Sequence, residues 1–427
     1  MRLKKILICS NVYPPNFIGG AELIAHFQGK LLQERGHEVI AFTGDNVRND
    51  KRYALAEDMY EGLTVFRVCL HPQDYQWDLI NFSHPAVDAH FTRLIDEFSP
   101  DVVHMHNIIG LSTGIIHIAK NRGAKTVLTL HDHWGFCYKN TLLKRGSEIC
   151  RDYSRCAECM PFVRDETGRN IPIRMRQDFL NLQLQEVDAF ISPSLYLAQA
   201  YISAGIPIGK MNVIWNGVDV ARFTRVVKKP REGKVRFTFI GYFGFHKGIN
   251  VFLDALSLIR TPDRVSVNLV GAGEQTDSLR DKIATLGLSR VVRFWGKVDN
   301  SRIEEVFAET DVQVLPSLWP ENQPVSITEA MATRTAVIAS AIGGIPELVM
   351  DGYSGYLFTP GNAAQLAEKM VEFISHPERI ELFGQRGFER IADKSFGEQL
   401  ERVCELYEGI GAGTCNCLCR RGDIAGV

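Results

Sequence analysis

Two glutamates, Glu321 and Glu329, stand eight positions apart and are the side chains whose types and spacing most directly indicate chemistry. The first lies in a Pro-punctuated loop, and the second lies about one turn into a helix predicted to begin near Val325. A helix start offers unpaired backbone N–H groups to an anion, whereas carboxylates accept hydrogen bonds from sugar hydroxyls. The stretch therefore predicts a nucleotide-sugar ligand; the alternative is an ordinary strand–loop–helix with two solvated glutamates.

The elements that must position such a site alternate between strand and helix. The chain opens with a buried strand at Ile6–Cys9, a Gly19-Gly20 loop, an amphipathic helix from Ala21 to Arg35 and a second strand at His37–Thr43. This βαβ order predicts a doubly wound parallel sheet. Paired glycines let backbone approach a ligand at the helix start, although a packing turn explains them equally well.

Polar side chains follow two further predicted strands, Asp101–Asn107 and Lys125–Asp132. Ligands of open α/β sheets bind at the carboxyl ends of the strands. We therefore take four residues at these ends as candidate site residues and read His104, within the apolar run, as a core histidine. The candidates are His106, Asn107, His131 and Asp132.

A second alternating unit begins at Val235, and Lys247 lies in its first strand-to-helix loop. We predict domains at 1–220 and 221–395, a helix at 396–410 that packs back on the first domain, and a flexible tail at 411–427. The charged stretch Ala221–Lys234 is interpreted as the interdomain linker.

Composition narrows the class of protein. With 427 residues, 45% hydrophobic and 23% charged, the chain predicts two or three soluble domains. A net charge of −2 argues against a nucleic-acid binder. No apolar run is long enough to span a bilayer. We expect a cytoplasmic protein whose ten cysteines do not form a disulfide framework.

A cysteine-rich insertion spans residues 137–159, with thiols at Cys137, Cys150, Cys156 and Cys159. Four thiols in a short polar segment predict a structural zinc site with tetrahedral ligation. The alternatives are reduced, unligated thiols or an iron–sulfur cluster.

The combined pattern resembles the retaining glycosyltransferases of family four, which have the GT-B architecture. Four segments of the second half carry most of the resemblance: Pro316–Ala332, Ala336–Ser340, Ile342–Val349 and Asp351–Phe358. The Gly-Gly loop and the His131-Asp132 strand end extend it over nearly the whole chain. It implies an α/β fold of two Rossmann-like domains facing each other across a cleft.

The same resemblance implies roles for individual residues. Glu329 would hold the ribose of the donor, Glu321 would face the transferred sugar, and His131 would lie against that sugar. Lys247 would contact the diphosphate, Gly19 and Gly20 would close over it, and backbone near Val298 would meet the base. The remaining donor-side residues are Asn322, Gln323, Pro324, Val325 and Ser326, and the acceptor-side residues are His106, Asn107 and Asp132.

One position departs from the family. An Arg usually follows the glycine that ends the first strand of the second domain, whereas Tyr242 follows Gly241 here. A phenol does not replace a bidentate Arg without loss, so one contact to the leaving diphosphate is missing or supplied elsewhere.

The expected activity is retaining, metal-independent transfer from a UDP-sugar, with a GDP-sugar as second choice, to a glycan or lipid-linked hydroxyl in cell-surface polysaccharide synthesis. A lipid-linked acceptor would bring the enzyme to the inner face of the cytoplasmic membrane as a peripheral protein. Three other readings stay open: a non-catalytic nucleotide-sugar-binding scaffold, a GT-B epimerase and a phosphorylase-like relative. A dehydrogenase is disfavoured, because no full Gly-x-Gly-x-x-Gly follows the first strand.

Overall fold

The computed structural model describes residues 3–16, 19–47, 51–76, 78–144 and 148–410. Among these residues, those up to 217 together with 396–410 form one compact unit, and residues 218–395 form a second. The tail predicted at 411–427 lies outside the described residues. None of the described helices combines the length and hydropathy that a membrane span requires.

The first unit is built on an eight-stranded sheet. The strands of this unit, including a separate two-stranded hairpin of β7 and β8, are β1 (Lys5–Ser10), β2 (Glu38–Asp45), β3 (Leu55–Tyr60), β4 (Leu63–Cys69), β5 (Val102–Met105), β6 (Lys125–Thr129), β7 (Phe162–Arg164), β8 (Asn170–Pro172), β9 (Ala189–Ser192) and β10 (Met211–Val213). Its helices are α1 (Gly20–Glu34), α2 (Pro85–Phe98), α3 (Gly114–Asn121), α4 (Cys156–Cys159), α5 (Ile173–Gln185), α6 (Leu195–Ser203) and α15 (Phe396–Gly409).

The strand order of this sheet is β10-β9-β6-β5-β1-β2-β4-β3. Every pairing is parallel except that of β3 with β4. The chain moves outward from β1 through β2 and then returns to β5 on the other side of β1. The carboxyl ends of β1 and β5 therefore flank the point where a doubly wound sheet binds its ligand.

The C-terminal helix α15 belongs to the core of the first unit. Its Leu400, Val403 and Tyr407 are buried in one hydrophobic cluster with Ile6 and Ile8 of β1. Burial of such side chains is worth roughly 1.5–3 kcal/mol each, so this helix contributes to the stability of the unit.

The second unit holds a six-stranded, all-parallel sheet in the order β13-β12-β11-β14-β15-β16. Its strands are β11 (Val235–Ile240), β12 (Val265–Val270), β13 (Val292–Gly296), β14 (Val312–Leu315), β15 (Ala336–Ser340) and β16 (Tyr356–Phe358). Its helices are α7 (Val220–Phe223), α8 (Ile249–Ser257), α9 (Thr276–Thr285), α10 (Ile303–Ala308), α11 (Val325–Ala332), α12 (Ile345–Leu348), α13 (Ala363–Ser375) and α14 (Glu378–Ile391). Here the order reverses between β11 and β14.

The prediction of a linker at Ala221–Lys234 is wrong. This stretch packs within the second unit, and the unit boundaries fall after Gly217 and after Ser395. Lys228 is the reason: its Nζ is largely buried and donates to the carbonyl oxygens of Phe307 (2.9 Å) and Thr310 (3.1 Å). Charged side chains of this segment thus donate hydrogen bonds to backbone carbonyl oxygens as well as facing water.

Candidate functional site

The loops after β11 and β14 meet at the switch point of the second sheet. Gly248 has a φ of +68°, and a Cβ there would lie 1.9 Å from the carbonyl oxygen of Pro316. Only glycine permits this approach, because any larger residue would collide with that backbone. The contact places Lys247, one residue earlier, against the loop that carries Glu321.

Glu321 is 5% exposed and accepts three hydrogen bonds on one oxygen. Its Oε1 lies 2.7 Å from Lys247 Nζ, 2.6 Å from Ser317 Oγ and 2.8 Å from Trp319 Nε1. Burial alone would raise the pKa of this carboxyl, but the charge of Lys247 and these hydrogen bonds outweigh it and hold the pKa below its usual value. Glu321 is therefore an ionised carboxylate that fixes the Lys247 ammonium.

The backbone of Glu321 is held from a third loop. Gly344 N donates to the Glu321 carbonyl oxygen at 2.7 Å, and a Cβ on Gly343 would lie 2.1 Å from that oxygen. Gly343 has a φ of +61°, a conformation that favours glycine. The Gly343-Gly344 pair thus fixes the loop that carries Glu321 and also leads directly into α12.

Glu329 lies on α11, is 8% exposed and has the opposite electrostatic character. Burial raises its pKa to about 8, although the charge of Arg222 and a hydrogen bond from Asn300 act to lower it. Arg222 is itself paired with Glu304. The site thus holds one ionised and one protonated carboxyl at neutral pH, and carboxyls made different in this way commonly have separate functional roles.

The predicted donor-side residues gather around this pair. Asn322 and Gln323 are buried, and Pro324, Val325 and Ser326 form the cap and first turn of α11. Val298 lies in the loop after β13, two residues before the Asn300 that bonds Glu329.

In the first unit, the candidates lie together at the carboxyl ends of β5 and β6. His106 Nδ1 is 3.0 Å from His131 Nε2, and Asn107 Nδ2 donates to Asp132 Oδ2 at 3.5 Å. Burial lowers the pKa of His131 to about 4 and raises that of Asp132 to about 6.

Gly19 and Gly20, the remaining candidates of this unit, are the N-cap and first residue of α1. Gly19 N donates to Glu22 Oε2 at 3.0 Å, which anchors the start of the helix. The backbone of Gly19 is extended, and a Cβ there would meet nothing within 4 Å among the described residues. Neither strain nor packing against these residues requires this glycine.

The four thiols of the cysteine insertion lie close enough for three of them to affect the pKa of the fourth, Cys156. Burial, and then the nearby Cys137, Cys150 and Cys159, raise the pKa of Cys156 to about 11. Within the described ranges, however, no three His, Cys, Asp or Glu side chains are arranged to hold a metal ion. The arrangement of the described side chains therefore does not by itself show a zinc site.

The zinc site remains a sequence-based prediction with a direct measurement. Protein purified without chelators should contain about one zinc per chain by elemental analysis, because a tetrahedral site of four cysteine thiolates holds a single ion. The double variant Cys156→Ser, Cys159→Ser should lose it. Metal-free wild-type protein with four titratable thiols in the insertion would remove the zinc assignment.

Several partners of the site carry no signal in sequence spacing. Ser317 and Trp319 lie beside Glu321, but nothing in their types marks them as its donors. Arg222 lies in the stretch read as a linker. Tyr242, at the position of the usual Arg, is 53% exposed, and the hydrogen bond between its side chain and Glu274 raises its pKa.

Comparison with known proteins identifies the family. The family model described as Glycosyltransferase Family 4 matches residues 18–222, and that described as Glycosyl transferases group 1 matches residues 221–390. A glycogen synthase of Mycobacterium tuberculosis is 25% identical over 387 residues, which cover 87% of this chain and 86% of the relative. An MMP alpha-(1->4)-mannosyltransferase of Mycolicibacterium hassiacum is 29% identical over 409 residues, 88% of this chain and 90% of the relative.

A solved structure shares the fold. The Anabaena protein Alr3699/HepE in complex with UDP superposes with a TM-score of 0.70 and 19% identity, covering 95% of this chain and all of that one. The predicted α/β fold of two Rossmann-like units is thereby confirmed. The two family matches adjoin along the chain, and the relatives align over most of their own length. This chain therefore belongs to the family-four glycosyltransferases, enzymes of the GT-B class.

Proposed function

We propose that the chain transfers a sugar, with retention of anomeric configuration, from a nucleoside diphosphate sugar to a hydroxyl of a glycan or lipid-linked glycan. The observation that carries the proposal is the contact between Lys247 and an ionised, buried Glu321 beside the first turn of α11. A cation and helix amides suit a diphosphate, and the two glutamates suit sugar hydroxyls.

Charge builds on the diphosphate as the glycosidic bond breaks. Lys247 and the first amides of α11 would stabilise that charge, because their orientation is fixed before the reaction begins. Glu321 would orient the Lys247 ammonium and accept hydrogen bonds from the transferred sugar, and Glu329 would bind the ribose. This assignment needs no catalytic metal.

A UDP-sugar is the first choice of donor, with a GDP-sugar second. The structurally similar Anabaena protein was solved with UDP, which supports the first choice. The relatives named as a glycogen synthase and a mannosyltransferase support a glycan acceptor and a role in polysaccharide synthesis. An acceptor on a lipid carrier would bring the chain to the inner face of the membrane.

The proposal is tested by nucleotide release and product stereochemistry. UDP release from UDP-glucose, and GDP release from GDP-mannose, should rise on adding alkyl glycoside acceptors and persist in EDTA. Proton NMR of the product should show the anomeric configuration of the donor. An inverted product contradicts retention, and activity lost in EDTA while circular dichroism is unchanged contradicts metal independence.

A non-catalytic nucleotide-sugar-binding role is the second candidate, and Tyr242 favours it. The side chain at the usual Arg position is a phenol hydrogen-bonded to Glu274, so it adds no positive charge for a leaving diphosphate. Tight UDP binding without nucleotide release under any of the above conditions would support this role over transfer.

A further inference from the structure

Three histidine rings stack in a row in the first unit. The centroids of His104 and His106 are 4.6 Å apart, and those of His106 and His131 are 5.3 Å apart, with interplanar angles of 22° and 19°. His104 and His106 are buried, on β5 and directly after it. Desolvation lowers the pKa of all three rings, so each is neutral at pH 7.

The far end of the row is anchored by hydrogen bonds. His104 Nε2 lies 2.7 Å from Thr129 Oγ1, and its Nδ1 lies 2.6 Å from both the Tyr407 hydroxyl and the Gln28 side-chain nitrogen. These partners come from β6, α15 and α1. Because three elements fix His104, the ring stacked on it has little freedom to rotate.

The bond between His106 and His131 can be assigned by counting protons. Two neutral rings that meet nitrogen to nitrogen at 3.0 Å share one proton, carried either by His106 Nδ1 or by His131 Nε2. A neutral imidazole has one N–H, so the choice at this bond decides which other nitrogen of each ring is protonated.

The surroundings of His106 favour the arrangement in which His106 Nδ1 carries the shared proton. Its Nε2 is buried, and no hydrogen-bond partner lies near it among the described residues. If His131 donated, His106 would have to keep its own proton on Nε2, as an unsatisfied buried N–H. Orphaned buried N–H groups are rare and costly, whereas an unused lone pair is tolerated more often.

We propose that His106 is a positioning residue, which donates from Nδ1 to His131 Nε2 and so holds His131 as its Nδ1–H tautomer. This inference rests on the proposed function and on the role that the family resemblance implies for His131, against the transferred sugar. His131 then serves as a neutral hydrogen-bond donor through Nδ1, not as a general base. His106, predicted from sequence as an acceptor-side residue, acts instead through His131.

The tautomer can be read without any reaction. Long-range ¹⁵N–¹H correlation spectra of the ¹⁵N-histidine-labelled full chain at pH 7 distinguish Nδ1–H from Nε2–H rings, and the His131→Gln variant assigns the signal. We expect His131 as Nδ1–H in the wild type. A His131 signal with the proton on Nε2, or a charged ring, overturns the proposal.

Kinetics test whether the bond matters. His106→Leu removes the donor and should lower kcat for UDP-sugar turnover by about tenfold, with little change in KM, since roughly one hydrogen bond is lost. His106→Asn places an amide donor near the Nδ1 position and should restore part of that loss and the Nδ1–H signal of His131. His117→Leu is the matched control, because His117 is an exposed histidine of the same unit.

The outcomes separate the two proposals. Equal kcat for His106→Leu and wild type overturns the positioning role. Absence of nucleotide release by the wild type counts against the proposed function, whereas the spectra still decide the tautomer in that case. If His106→Leu does not fold, the wild-type spectrum alone can refute the inference.

Discussion

Replacing Lys247 by alanine is expected to lower kcat for sugar transfer by about 10²–10³-fold, the loss typical of removing one preorganised group that stabilises a developing oxyanion. The ammonium is held 2.7 Å from Glu321 and 5.0 Å from the centre of the Trp319 ring, so its position is fixed before substrate arrives. Nucleotide release by the variant, compared at saturating donor, measures the effect.

The matched control for this prediction is Lys229→Ala. Lys229 is a lysine of the same unit that also pairs with a glutamate, Glu309, but on the surface. Exposed pairs of this kind contribute about 0–1 kcal/mol, so stability and kcat should change little. If Lys247→Ala kept wild-type turnover, Lys247 would not be the group that stabilises the leaving diphosphate.

Replacing Glu329 by glutamine is expected to stabilise the free protein at alkaline pH. The pKa of Glu329 rises from its usual 4.5 in the unfolded chain to about 8 in the folded chain, because burial disfavours the charged form. The folded state therefore binds more protons between these two values, and stability falls as pH rises from about 4.5 to about 8. Glutamine is neutral throughout and lacks this loss.

The measurement is the melting temperature of both proteins at pH 5 and pH 8.5. The difference in melting temperature in favour of Glu329→Gln should be larger at pH 8.5 than at pH 5. Arg222 and Glu304 face position 329 in both proteins. A difference independent of pH would mean that Glu329 is ionised in the folded state.

Much of the site's scaffold could be predicted from the sequence. A buried apolar run followed by prolines placed β14 and its loop, and α11 begins at Val325, where the pattern put it. The strand ends that carry His106 and His131 were also predictable, because their apolar runs stop there. Local patterns of this kind report burial and turn chemistry, which are decided by neighbouring residues.

What could not be predicted is long-range pairing. Lys247 and Glu321 are 74 positions apart. No spacing rule shows that Lys247 donates to the same Glu321 oxygen as Ser317 and Trp319. The antiparallel strand β3 was missed because Leu55–Tyr60 is half polar and mostly half-exposed, so it lacks the apolar run of the central strands.

Charge was the misleading signal in the stretch read as a linker. Lys and Arg suggested a solvated segment, but Arg222 and Lys228 use their donors inside the second unit. Cysteine spacing indicated that four thiols lie near one another, and Cys137, Cys150 and Cys159 do act on the pKa of Cys156. Zinc binding by these thiols stays a prediction.

The central claim is that the second unit binds a nucleoside diphosphate sugar through Glu329 and the Lys247–Glu321 pair. Calorimetric titration of UDP-glucose into wild type and Glu329→Gln at pH 8.5 tests it most directly. We expect binding by the wild type and an affinity about tenfold to a hundredfold weaker in the variant, since a hydrogen bond to a charged group is worth about 1.5–3 kcal/mol. Equal affinities, or no binding of UDP-, GDP- or ADP-sugars by the wild type, would contradict the claim.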